Sequence, residues 1–256
     1  MAKVLLVTGG ARGIGRATVE LAARQGFDVA VGFRKEADAA EAAADSVRAL
    51  GRQAITVQAD VAAENDIINM FEQTERQLGK ITSLVNSAAI STRMRVDEAP
   101  TGDLERLMAV NVVGVMQCCR EAAKRMSTQH GGKGGSIVNV GSMAAFSGGR
   151  PGASHYAGSK GAVDSFSRGF AREVAQEGIR VNIVRPGVTL TDMVQAVRDD
   201  PEVRQSIDAT IPMGRPAEPS EIAEPILWLL SEKASFVTGC IVDASGGGYV
   251  IGAATG

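Results

Sequence analysis

Apolar residues in this chain alternate between two arrangements. Short runs rich in Val, Ile, Leu and Ala at 4–7, 29–33, 54–57, 81–85 and 179–184 are separated by longer stretches with helical spacing. In those stretches Ile67, Phe71, Thr74 and Leu78 recur at intervals of 4, 3 and 4, and Val163, Phe166, Phe170 and Val174 at 3, 4 and 4. Such spacing keeps one face of a helix apolar. Runs without polar alternation belong to strands covered on both faces, as in a parallel sheet. The pattern predicts strands at 3–8, 28–33, 53–58, 81–86, 135–141, 179–185 and 239–243. It predicts helices at 13–25, 36–50, 64–78, 102–127, 155–177 and 219–232, with a looser helical region at 190–209. Gly26, Gly51, Gly79 and Gly178 each sit between a helical stretch and the next strand, the place of a left-handed helix end. Strand and helix alternate over the whole length with no linker. The expected fold is therefore α/β: one doubly wound Rossmann domain over 1–256, with a parallel sheet of about seven strands and helices on both faces.

Composition narrows the function classes. Glycine supplies 30 of 256 residues, above the roughly 7 % of average proteins. A net charge of −2 gives no basic field for nucleic acid or anionic membrane. Three cysteines make no disulfide framework, and with two histidines they show no metal-ligand spacing, so no metal is expected. No apolar run approaches a membrane span, and the run before Gly9-Gly10 is too short for a leader. The expectation is a soluble cytoplasmic protein acting on a small molecule.

Between the first strand and first helix lies Thr8-Gly9-Gly10-Ala11-Arg12-Gly13-Ile14-Gly15. Glycines there let the backbone approach a phosphate, and a helix N-terminus offers unpaired N–H groups. Gly-rich turns also serve plain strand–helix packing. The second strand ends in Gly32-Phe33-Arg34-Lys35, where an acid would hold an adenosine ribose. Phe33 removes that acid, while Arg34 and Arg12 offer cations for a 2′-phosphate. NADP(H) is thus favoured over NAD(H); a solvated strand end is the plainer reading of Arg34 and Lys35. Tyr156 and Lys160 stand four apart on one helix face. A neighbouring ammonium favours phenolate, which makes a tyrosine a proton carrier near neutral pH.

With these motifs in order, the sequence resembles the short-chain dehydrogenase/reductase family nearly end to end. The resemblance is carried by the glycine turn, Asp60-Val61, Asn86-Ser87-Ala88-Ala89, Asn111, Gly141-Ser142, Tyr156-Ala157-Gly158-Ser159-Lys160, Arg185-Pro186-Gly187 and Ile211-Pro212-Met213-Gly214-Arg215-Pro216. It is similar to 3-oxoacyl-carrier reductases and glucose-dehydrogenase-like members. The resemblance implies ketone and secondary-alcohol interconversion by hydride transfer. Tyr156 is then the general acid/base, Lys160 the ribose holder, Ser142 the partner of the substrate oxygen, and Asn111 the holder of a relay water. Gly9, Arg12, Gly13, Ile14, Gly15, Arg34, Asp60, Val61, Asn86, Ala88, Pro186, Gly187 and Thr191 are the implied cofactor contacts, beside Tyr156 and Lys160. Ser142, Met143, Gly149, His155 and Met193 are candidate pocket residues, although methionine also fills cores. The family usually has glycine where Ala89 stands. Arg93-Met94-Arg95 is either a basic entrance or a solvated loop, and Glu177-Gly178 weighs against a carrier-protein substrate. The segment near 188–212 is the expected lid. The resemblance further implies a homotetramer through the 102–127 and 155–177 helices and the C-terminal strand region. Two other readings remain: a catalytically silent NADP-binding or scaffold protein, and a methyltransferase, which also uses a Gly-rich turn.

Overall fold

The protein is described by a computed structural model covering residues 3–248. Residues 1–2 and 249–256, part of the expected 1–256 domain, lie outside the described residues. Seven strands, β1 (Lys3–Thr8), β2 (Phe27–Phe33), β3 (Ala54–Gln58), β4 (Ile81–Asn86), β5 (Gly135–Val140), β6 (Ile179–Pro186) and β7 (Ile241–Ala244), form one parallel sheet. Their order is β3-β2-β1-β4-β5-β6-β7. The helices are α1 (Gly13–Arg24), α2 (Ala37–Arg48), α3 (Glu64–Leu78), α4 (Thr101–Met108), α5 (Gly114–Met126), α6 (Ala144–Ser147), α7 (Ser154–Val174), α8 (Gln195–Asp199), α9 (Pro201–Asp208) and α10 (Pro219–Leu230).

The unbroken apolar strands divide between two cores because successive side chains leave opposite faces of the sheet. Leu5 and Val7 of β1 join Val19, Ala43, Val47, Ile222 and Ile226, the core beneath α1, α2 and α10. Val4 and Leu6 join Ile67, Phe71, Cys118, Val163 and Val174, the core beneath α3, α5 and α7. Each large apolar side chain buried this way stabilises the fold by about 1.5–3 kcal/mol. Alternation of β1 between two cores also fixes its register, since a one-residue slip would exchange the faces. A third, small cluster of Val197, Ile207 and Ile211 packs the 188–212 segment on itself.

The structure differs from the sequence expectation in three places. The helix expected at 102–127 is α4 and α5 joined by a π-helical stretch, Ala109–Val113. Just after it the chain packs closely on its neighbour: a Cβ on Gly114 would run into the Val61 carbonyl. The region expected at 190–209 is a 3-10 turn, Asp192–Val194, followed by α8 and α9. The four-residue α6 has no counterpart in the periodicity. Gly26, Gly51, Gly79 and Gly178 all have positive φ, as helix-ending glycines should.

Candidate active site at the strand carboxyl ends

In this strand order the chain reverses direction of travel between β1 and β4, and the crevice at that switch point is where open α/β sheets bind ligands. A cleft of about 1020 Å³ lies there. Its floor runs from Thr8 and Gly9 at the end of β1, past Phe33 and Arg34 at the end of β2, to Val140 and Pro186 beyond β5 and β6.

At one end the glycine turn enters α1. Gly9 has φ +66°, and a Cβ there would lie 2.9 Å from the Ala88 backbone. A Cβ on Gly15 would run into the Gly9 carbonyl. The turn therefore leaves no room for a side chain at Gly9 or Gly15. Helix α1 opens on Arg12 without a side-chain cap, which leaves first-turn N–H groups for an anion. Thr8 Oγ1 accepts the N–H groups of Ser87 and Ala88, both at 3.2 Å, tying the β1 and β4 ends into one cradle. These features fit the pyrophosphate of a dinucleotide. Gly9, Arg12, Gly13, Ile14, Arg34, Asp60, Val61 and Ala88 line this part of the cleft.

Charges around the cradle are unevenly matched. Arg12 pairs with Glu36 at 3.3 Å and with Asp192 at 3.5 Å, so it spans the turn, the segment after β2 and the segment after β6. Glu36 lines the cleft, one acid that the Phe33 substitution does not remove. Asp60 is held by Arg106 at 2.6 Å. Burial pushes its carboxyl up, but the Ala62 N–H, Arg106 and Arg34 outweigh this and hold it below its usual range. Arg34 has no ion-pair partner among the described residues.

The chemistry-bearing residues stand on the β5 and α7 side. Ser142 follows β5, and its Oγ accepts the Ala144 N–H at 3.1 Å. Ser142 also stands beside Tyr156, close enough for its side chain to favour the phenolate. One turn along α7, Lys160 is 3 % exposed, and its Nζ donates to the Val140 carbonyl at 2.7 Å. Burial lowers the Lys160 ammonium to about 8, against the attraction of Asp164. Burial raises Tyr156 above its usual value, with Ser142 opposing. In the protein alone Tyr156 is therefore a neutral phenol. The Lys160 Nζ lies 6.0 Å from the Tyr156 ring centroid.

Ser142, Met143, Gly149, Tyr156, Lys160, Pro186, Gly187, Thr191 and Met193 all line the cleft. Four expected residues stand behind its wall. Asn111, in the π-helical stretch and fully buried, accepts the Ile90 N–H at 2.9 Å and donates to the Ile90 carbonyl at 2.9 Å and to Ser159 at 3.1 Å. It thereby fixes the loop after β4 to α7. Asn86 donates to Asn139 at 2.8 Å within the sheet. Gly15 packs beneath the turn. His155, expected in the pocket wall, instead meets Thr92 through Nε2, at 3.1 Å from Oγ1 and 3.0 Å from the carbonyl. Sequence reasoning did not single out Glu36, Arg106, Thr92, Arg150 or Thr210, which line the cleft. Arg150 alone left a signal there, between glycines that no helix or strand required.

A model of the family described as enoyl-(acyl carrier protein) reductase matches residues 9–249. Relatives align over nearly the whole length. An uncharacterized oxidoreductase of Escherichia coli is 42 % identical, covering 95 % of this chain and 99 % of the relative. The chain belongs to the short-chain dehydrogenase/reductase family. A human 3-oxoacyl-[acyl-carrier-protein] reductase is 39 % identical over 96 % of this chain and 98 % of its own. The solved structure of a dehydrogenase/reductase from Sinorhizobium meliloti superposes with a TM-score of 0.89 at 33 % identity, covering 98 % of this chain and 96 % of that one. This short-chain dehydrogenase/reductase is an NAD(P)-dependent oxidoreductase. Among its described residues no helix is long and apolar enough to cross a membrane, and no group of His, Cys, Asp and Glu is arranged for a metal.

Proposed function

We propose that the protein interconverts a ketone and a secondary alcohol with NADP(H), Tyr156 exchanging the proton. The observation that carries this reading is that Ser142, Tyr156 and buried Lys160 line one cleft together. The cofactor, when bound, supplies or accepts the hydride. In reduction the Ser142 hydroxyl bonds the carbonyl oxygen and Tyr156, neutral through burial, donates its proton to that oxygen as charge develops there. Lys160, anchored on the Val140 carbonyl, would hold the ribose hydroxyls of the bound cofactor. In oxidation Tyr156 takes the proton back. The relatives named as 3-oxoacyl reductases support a 3-oxo carbonyl as the substrate; sugar and other alcohol substrates belong to the same chemistry.

Preference for NADP(H) rests on Arg34, which has no ion-pair partner among the described residues, and on Phe33 in place of an acid, both lining the cleft. Arg12 joins it only by leaving Glu36 and Asp192, so Arg34 carries the larger share. The protein is also read as cytoplasmic, in keeping with three free cysteines. It is read as a homotetramer, supported by Met108 of α4, Val113 of the π-helical stretch and Met116 of α5, all exposed.

A ketone panel assayed with NADPH and NADH in parallel tests the whole reading. Consumption of NADPH with formation of the alcohol is expected, and Arg34→Glu should raise the KM for NADPH about tenfold relative to that for NADH. An unchanged ratio removes the NADP preference. Tight NADPH binding without turnover of any ketone favours the silent binding protein.

A further inference from the structure

The cations lining the cleft are Arg12, Arg34, Arg93, Arg106, Arg150 and Lys160, and the acids are Glu36, Asp60 and Asp192. Every one of those acids is already engaged. Glu36 and Asp192 hold Arg12, and Asp192 also holds Arg198. Asp60 holds Arg106. At the substrate side this leaves Arg93 and Arg150 with no carboxylate in ion-pair range among the described residues.

Their neighbours are weak partners. Arg150 Nη2 reaches Thr210 Oγ1 at 3.4 Å, and Arg93 Nε reaches the Pro151 carbonyl at 3.4 Å. Neither contact neutralises a charge. Burial, and then the like charge of Arg93, push the Arg150 guanidinium below its usual value. Arg150 is thus held in the cleft wall against desolvation and against the like charge of the exposed Arg93.

The fold invests in holding them there. The loop after β4 and the loop before α7 are laced together by Met94 N–H to the Gly152 carbonyl at 3.0 Å and by the His155–Thr92 contacts. Gly152, at φ +81°, has only 3.3 Å between its Cβ position and Arg93 Cγ, so the Arg93 stem lies directly on that backbone. Thr210, which bonds Arg150, belongs to the 188–212 segment expected to cover the substrate. Ser142, after β5, and Tyr156, in the first turn of α7, line the same cleft.

We propose that Arg150 and Arg93 form an anion subsite, and that the carbonyl substrate carries a carboxylate or phosphate that binds there. A guanidinium fork suits either group, and an unpaired one in a cleft gains most from an anionic ligand. This inference rests on the ketone–alcohol reading of the site and adds the charge class of the substrate.

Two substrate pairs test it: acetoacetate against its methyl ester, and hydroxyacetone phosphate against hydroxyacetone. In the wild type the anionic member of at least one pair should have a kcat/KM about tenfold higher, mostly through KM. The pair that responds tells carboxylate from phosphate. In the Arg93→Gln/Arg150→Gln protein that ratio should fall to about twofold or less, and Arg150→Lys should retain part of it. Equal or better use of the neutral members by the wild type, or a ratio unchanged in the double variant, overturns the subsite and leaves the ketone–alcohol reading standing. If no ketone turns over, that reading fails and binding decides the subsite. Malonate or inorganic phosphate should then raise the melting temperature of the wild type more than that of the double variant, which keeps the glycine-turn cradle, and equal shifts overturn the proposal.

Discussion

The turn after β1 and the loop before α7 both gather glycines at positive φ, yet a methyl group would meet different things in the two places. At Gly9 it would press on the Ala88 backbone at 2.9 Å, and at Gly15 on the Gly9 carbonyl. At Gly148 it would meet nothing within 4 Å, and at Gly152 the nearest atom is Arg93 Cγ at 3.3 Å, part of a flexible side chain. The cofactor end is constrained by backbone against backbone. The substrate end is shaped by side chains resting on a loop. A ligand common to a whole family can be met by backbone geometry, whereas a particular substrate has to be met by side chains that vary.

Three stability measurements sharpen this contrast. Gly9→Ala should cost the most, about 2–4 kcal/mol in urea unfolding, from a left-handed backbone and a clash that no rotamer relieves. A loss under about 1 kcal/mol means the turn can open, and the contrast with the substrate loop dissolves. Lys160 comes next. Its folded value of about 8 lies below the usual 10.5. Between those values the unfolded chain holds a proton that the native chain has released, so native stability rises with pH across that window. Compared with Lys160→Met, the wild type should gain roughly 1.5 kcal/mol between pH 8 and 9.5. Parallel pH curves would show that the ammonium is not desolvated. Gly152→Ala should cost least, about 1 kcal/mol, because Arg93 can swing aside and only the backbone strain remains. Thermal melts of the two alanine variants side by side give the ranking.

The same contrast explains what was legible beforehand. The β1 strand could be read because its residues are buried on both faces, and burial on both faces leaves an unbroken apolar run. The glycine turn could be read because close backbone contact admits no other residue. The π-helical stretch at Asn111 was hidden: the 102–127 periodicity continues through it, and the close packing of Gly114 on Val61 beside it joins residues distant in sequence. His155 was expected at the pocket because it adjoins Tyr156, but one step along a helix turns a side chain by about 100°, here toward Thr92. The absence of an acid at the β2 end was legible at Phe33, while the return of Glu36 to the cleft depends on how α2 begins. Least legible was the isolation of Arg93 and Arg150. A missing ion pair becomes visible only when the partners of Glu36, Asp60 and Asp192 are known.

The central claim is that Tyr156 moves the proton while the carbonyl is reduced. The most direct measurement is kcat/KM for Tyr156→Phe with NADPH and a ketone that the wild type reduces, since the change removes one oxygen from a site otherwise held by Ser142, Lys160 and Val140. The account predicts a fall of about 10²–10⁴-fold with NADPH binding retained. A fall of less than tenfold would contradict it.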